Sequence, residues 1–215
     1  MLHGPELAPL SGNEAKQLVV FLHGVGSDGD DLISLADNMR HNFPDAHFIA
    51  PNAPFPYDGA PFGYQWFSLK DRTESFLLNG INEALPILNQ FLDDSLKRLN
   101  LDDSNLILIG FSQGTMIGLH AALRRPKKIA ALVGFSGVLL SYTYLSQQTL
   151  SKPNIMLIHG DLDEVVPHAA LAYAIKALGH LSITAKQHTC RGIGHGISPE
   201  GIQIATDFIL QNINA

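Results

Sequence analysis

Cysteine is almost missing from this chain. Cys190 is the only one in 215 residues, so an internal disulfide and a multi-cysteine metal site are both excluded. A reducing, cytoplasmic setting is the expected compartment. Basic clusters are also missing: Lys and Arg number 14 against 20 Asp and Glu, for a net charge of −6, and the basic groupings stop at pairs such as Arg124-Arg125 and Lys127-Lys128. That leaves no footprint for a phosphate backbone, so nucleic acid is excluded as an expected partner. Apolar runs such as residues 129–135 fall well short of the ~20 residues a membrane-spanning helix needs, and no integral membrane segment is expected. Residues 1–10 hold neither Lys nor Arg and include Pro5 and Pro9, which is unlike a secretory signal. Internal repeats, low-complexity tracts and charged linkers are absent as well. Residues 1–215 are therefore expected to form a single domain, of a size that buries roughly 70% of its unfolded surface.

What the chain does have is alternation. Residues 18–22, 105–109, 129–135 and 155–158 are short apolar runs of the kind buried on both faces of a sheet. Residues 46–50 read as another short strand, and 182–189 alternates weakly as a last one. Between them, residues 30–41, 74–99, 115–123, 167–178 and 199–210 carry helical spacing. In the longest, Ile81, Leu85, Leu88, Leu92 and Leu96 recur every three or four positions, although Pro86 predicts a kink or a late start. The pattern predicts an α/β fold, a mostly parallel central sheet with helices on both faces. In such sheets ligands bind beyond the carboxyl ends of the strands.

Gly110-Phe111-Ser112-Gln113-Gly114 lies at such a strand end, before a helical segment. A serine on a sharp strand-to-helix turn needs neighbours without side chains two before and two after it, so Ser112 is a candidate nucleophile. Gly134-Phe135-Ser136-Gly137 begins the same way, but Val138 occupies the second glycine position, and the turn is not expected at Ser136. A serine hydroxyl needs a base, and the base a carboxylate. Of ten histidines, His195 stands out, in the glycine-bearing loop 192–196 after the last strand. His3, His41, His180 and His188 read as structural. The segment 159–167 follows the strand at 155–158 and offers Asp161, Asp163 and Glu164. A turn or cap role competes there. Asp163 is preferred, giving the chain order Ser, Asp, His of α/β-hydrolase triads. The oxyanion of an acyl-transfer intermediate needs backbone donors: the amide of Gln113, after the nucleophile, and one from the glycine-bearing turn at residues 22–26.

Aromatic residues gather in the loop 51–70, including Trp66 and Phe67, while segment 138–145 adds Leu139. As a set they suggest an apolar acyl pocket, with Trp66, Phe67 and Leu139 as candidate substrate-binding residues. Packing of these loops onto the core is the competing reading.

Taken together, Phe21 to Gly29 (FLHGVGSDG), Ala50 to Pro54 (APNAP), the pentapeptide around Ser112, His159-Gly160 with Asp163 to Pro167, and Gly194-His195 resemble the phospholipase/carboxylesterase family of α/β-hydrolases, which includes the acyl-protein thioesterases. The resemblance spans nearly the whole chain. It implies an α/β-hydrolase fold, a Ser112, Asp163, His195 triad, and the backbone N–H groups of Leu22 and Gln113 as oxyanion donors. Gln65-Trp66-Phe67-Ser68 is similar to the bacterial carboxylesterase branch; the thioesterase branch commonly reads Trp-Phe-Asp there. The expected activity is serine carboxylesterase action on a small ester or lipid-like substrate with a short to medium acyl chain. No cofactor and no metal are expected, and a homodimer is left open. Lysophospholipase or acyl-protein thioesterase activity through the same triad, and a hydrolase-like binding module without turnover, are the alternatives.

Overall fold

The computed structural model describes residues 2–213. Nine strands and six α-helices follow one another as β1 (Glu6–Leu7), β2 (Gln17–Leu22), α1 (Gly29–Ile33), β3 (Ala46–Ile49), β4 (Phe55–Pro56), β5 (Tyr64–Gln65), α2 (Glu74–Arg98), β6 (Leu106–Phe111), α3 (Gln113–Arg124), β7 (Ala131–Phe135), α4 (Tyr142–Gln148), β8 (Asn154–Gly160), α5 (Ala169–His180), β9 (Ala185–Cys190) and α6 (Pro199–Ile213). Seven strands form one sheet in the order β1-β3-β2-β6-β7-β8-β9. All neighbours are parallel except β1, which lies antiparallel to β3.

Strand alternation divides the apolar residues between two layers. Leu18, Val20, Leu22, Leu106, Leu108 and Leu132 pack with α2, α3 and α5 on one face. Val19, Phe21, Ile107, Ile109 and Val133 pack with α1 and α6 on the other. Both faces are therefore dry, which is why these strands read as continuous apolar runs.

The α2 helix does not break at Pro86 but runs through it. Proline in a helix interior costs ~3 kcal/mol. Ile81, Leu85, Leu88, Leu92 and Leu96 are all buried along this helix, and at ~1.5–3 kcal/mol each their burial is worth on the order of 10 kcal/mol. Packing wins. The segment expected as one helix over 30–41 is instead the short α1 followed by a 3-10 turn at Ser34–Asn38. The pair β4-β5, the edge strand β1 and the helix α4 were not expected.

From β2 the chain steps to β3 on one side of the sheet, then returns to place β6 on the other side of β2. The carboxyl ends of β2 and β6 therefore flank a topological switch point, where open α/β sheets hold their ligands. No helix among the described residues is long and apolar enough to cross a membrane.

Candidate active site

Ser112 sits between β6 and α3 with φ +52° and ψ −115°, a conformation that costs a non-glycine residue about 1–3 kcal/mol. The flanking glycines make it reachable. A Cβ on Gly110 would fall 2.5 Å from the Thr115 amide nitrogen, and one on Gly114 would overlap the carbonyl of Leu22. Ser112 donates its backbone N–H to the Phe135 carbonyl at 2.8 Å, and its own carbonyl accepts from the Thr115 and Met116 amides. The turn is thus pinned on both sides.

His195 Nε2 stands 3.0 Å from Ser112 Oγ, and His195 Nδ1 stands 2.8 Å from Asp163 Oδ2. The Phe111 ring packs against the imidazole with centroids 5.0 Å apart. Asp163 is buried, and its other oxygen accepts the Val165 and Val166 amides at 2.9 and 2.8 Å. Burial by itself raises this carboxyl, but the hydrogen bonds from His195, Val166 and Val165 outweigh it and hold the group below the usual carboxylate range. An ionised carboxylate orients the imidazole with its proton on Nδ1, leaving Nε2 free to accept from the serine. Asp161 does something else. Its Oδ1 accepts the Gly192 amide at 2.7 Å, and together with the bonds from Asp161 N to Cys190 O and from Leu162 N to Ile193 O it stitches the acid-bearing loop to the histidine-bearing loop.

His159 opens the segment that carries Asp163. Its ring is buried, with Nε2 2.9 Å from the Val166 carbonyl and 3.2 Å from Asp163 Oδ2. The carbonyl contact requires the proton on Nε2, so His159 braces the carboxylate from behind. Only the fold brings it there; no spacing signal marks it.

The side chain of Gln113 is fully buried. Its Oε1 accepts the Trp66 amide at 2.8 Å and its Nε2 donates to the Phe67 carbonyl at 2.7 Å. Its backbone N–H heads α3, where the first amides lack intrahelical acceptors. The neighbouring turn after β2 is held by His23, whose Nε2 accepts the Ala53 amide at 2.9 Å while Nδ1 bonds the Gly24 carbonyl at 2.7 Å. That pattern is the neutral ring. Burial pushes its pKa down, against the raising effect of the Gly24 carbonyl.

Five expectations are corrected by these positions. Leu22 is the fully buried last residue of β2, paired with Gly110 of β6, and does not line the cavity at Ser112. Val25, three residues on, is the residue of this turn that lines the cavity at Ser112. Trp66, Phe67 and Leu139 are core residues, at most 1% exposed, and none lines that cavity. Trp66 turns inward because its Nε1 donates to the His23 carbonyl at 2.9 Å. Leu139 points to the core while its neighbours Val138 and Leu140 face the cavity. The cavity measures about 240 Å³, and Leu69, Leu77, Met116, Val138, Leu140 and Val166 give it an apolar wall, with Arg72 its one charged lining residue. Finally, Ser136 does make a sharp turn, with φ +48°.

A doubly covered parallel sheet that carries a hydroxyl, an imidazole and a carboxylate in line at its strand ends is the arrangement of an α/β-hydrolase. Comparison with known proteins narrows this. Residues 9–213 match the model of the phospholipase/carboxylesterase family, and the chain belongs to that family of esterase- and thioesterase-type hydrolases. It is 27% identical over 203 residues to acyl-protein thioesterase 1 homolog 1 of Dictyostelium discoideum, covering 91% of this chain and 90% of that one. It is likewise 27% identical over 199 residues to esterase YpfH of Escherichia coli K12, covering 93% and 84%. Among solved structures it is similar to esterase PE8, with TM-score 0.93 and 44% identity over 98% of this chain and 99% of that one.

Proposed function

We propose that the protein is a single-domain serine carboxylesterase that cleaves short to medium acyl esters in the cytoplasm through an acyl-enzyme on Ser112. The observation that carries this reading is the unbroken hydrogen-bonded line Ser112, His195, Asp163, with Ser112 lining an apolar cavity. His195 Nε2 takes the Ser112 proton as Oγ attacks the acyl carbonyl. The resulting oxyanion is met by the amides of Gln113 and Val25, and the imidazolium is balanced by Asp163. His195 then protonates the departing alkoxide. Water, deprotonated by the same imidazole, releases the acid and restores the serine.

The apolar lining of the cavity beside Ser112, from Leu69, Leu77, Met116, Val138 and Leu140, supports an acyl chain as the bound group. Thioester or lysophospholipid cleavage by the same residues is the second reading, favoured by the similarity to a protein named acyl-protein thioesterase 1 homolog 1.

A serine-reactive phosphonate probe followed by a substrate panel tests both. Labelling of the parent and none of Ser112→Ala is expected; equal labelling of both, or none of either, contradicts the assignment and favours a binding module. Aryl esters with short to medium acyl chains should turn over fastest. Negligible aryl-ester hydrolysis beside rapid cleavage of acylated peptide or lysophospholipid would replace the carboxylesterase reading with the second one.

A further inference from the structure

We infer that His188, Cys190 and Glu200 form a binding site for a thiophilic divalent ion, Zn²⁺ by its chemistry, at the base of the loop that carries His195. His188 and Cys190 are two residues apart on β9 and so project from the same face of the strand, the face that α6 covers through Ala205, Phe208 and Ile209. Glu200 belongs to the first turn of α6. Its Oε1 lies 2.8 Å from His188 Nε2, and the three ligand atoms of this trio all lie within 4.8 Å of one another. A tetrahedral zinc ion with bonds of ~2.0–2.3 Å holds its ligands about 3.5 Å apart, so side-chain shifts on the order of an ångström close the site.

Sulfur, imidazole nitrogen and carboxylate oxygen together suit Zn²⁺ and disfavour Mg²⁺ or Ca²⁺. Cys190 is buried, whereas the His188 and Glu200 side chains are 28% and 57% exposed. The open side leaves a fourth position for water. On binding, the Cys190 thiol releases its proton to solvent, the proton that His188 Nε2 shares with Glu200 moves by way of solvent to Nδ1 so that the Nε2 lone pair faces the ion, and the Glu200 carboxylate turns from His188 to the ion. Ser198 already donates its hydroxyl to Cys190 Sγ at 3.3 Å, a contact that strengthens once the sulfur is a thiolate. The nearest cation on the same strand face, Lys186, is engaged further along α6, at Gln211 Oε1 and over the Phe208 ring.

The site stands apart from the ester chemistry but brackets it. The loop that holds His195 begins just after Cys190 and ends just before α6, so one ion would tie its two stems together. That makes the ion a brace for the histidine loop.

Cobalt(II) titration of the full chain is the test. Cys190 is the sole thiol, so a near-ultraviolet thiolate-to-cobalt charge-transfer band reports on this site alone. The expected result is a band that saturates at one equivalent, vanishes in Cys190→Ser and is displaced by Zn²⁺. His188→Gln and Glu200→Gln alter partly exposed positions that leave the core intact, and each should weaken binding at least about tenfold. His195→Ala should bind as the parent does. Zn²⁺ should also raise the unfolding midpoint of the parent but not of Glu200→Gln. No band, a band unchanged in both the His188 and Glu200 variants, or binding lost in His195→Ala would each overturn the proposal.

Discussion

Ser112 and Ser136 end neighbouring strands in matching register: Gly110 pairs with Gly134 and Phe111 with Phe135. Both follow Gly-Phe, and both take a positive φ, +52° and +48°. Each is nearly sealed from solvent, at 6% and 1% exposure. Their surroundings separate them. Ser112 faces His195 Nε2 and lines the apolar cavity, whereas Ser136 Oγ is buried without a hydrogen-bond partner. Turn geometry therefore does not make a nucleophile. A base within reach and an open approach do, and Ser136 has neither.

The strongest way to break the contrast is Ser112→Ala. With the hydroxyl gone, ester turnover should fall by about 10⁶ if this serine works as one unit with its base, and Ser136 should not rescue it. Adding Val138→Gly, to complete the second pentapeptide, should restore nothing in a spectrophotometric ester assay. Asp163→Asn keeps the shape but not the charge that sets the imidazole tautomer, and a loss of about 10⁴ in kcat is expected. Gln113→Ala retains the backbone amide yet strands the Trp66 N–H and the Phe67 carbonyl. At about 1–3 kcal/mol for each unsatisfied group, urea melts should show a destabilisation of about 2–6 kcal/mol.

Surroundings rather than residue type also decide the behaviour of His120, which is buried on α3 with Nε2 bonded to the Leu140 carbonyl. Burial pushes its pKa down to about 4, against the raising effect of that carbonyl and with help from Arg124. An unfolded chain protonates this ring near pH 6.5. Between pH 6.5 and 4 the unfolded state thus binds more protons, so stability falls as pH falls, by about 3 kcal/mol in all. In His120→Gln the slope of melts taken across the window should shrink by this contribution, leaving that of His23. The smallest effect belongs to Ser136→Ala: turnover within about twofold of the parent, and stability raised by up to about 1 kcal/mol because an unpartnered hydroxyl is removed.

The central strands were legible because burial on both faces leaves an uninterrupted apolar run. Two-residue strands such as Glu6–Leu7 and Phe55–Pro56 are too short to carry a period, and Pro56 argues against a strand locally. Pro86 misled in the other direction, since a local penalty gave way to the long apolar stripe around it. Ser112, Asp163 and His195 could be picked out because each follows a strand in a chemically meaningful order. Direction within a loop is a different matter. Composition drew attention to Trp66, Phe67 and Leu139, but only packing tells that they turn inward and that Val25, Leu69, Val138 and Leu140 face the cavity. The same limit put Val25 rather than Leu22 at the cavity, and it hid the contacts of His159 with Asp163 and Val166.

The double clamp of Gln113 on Trp66 and Phe67 ties the loop over residues 51–70, which carries the cavity residue Leu69, to the first residue of α3, directly after Ser112. With Gln113 as the proposed oxyanion donor, acyl preference and turnover are mechanically geared. Grafting a different loop over residues 51–70 to change acyl preference will shift kcat along with KM unless the incoming segment again offers one amide and one carbonyl to Gln113. Specificity is more freely engineered at the Val138 and Leu140 side chains, which line the cavity; the hydrogen bond from Leu140 to α3 runs through its backbone carbonyl to His120 Nε2 and survives side-chain substitution.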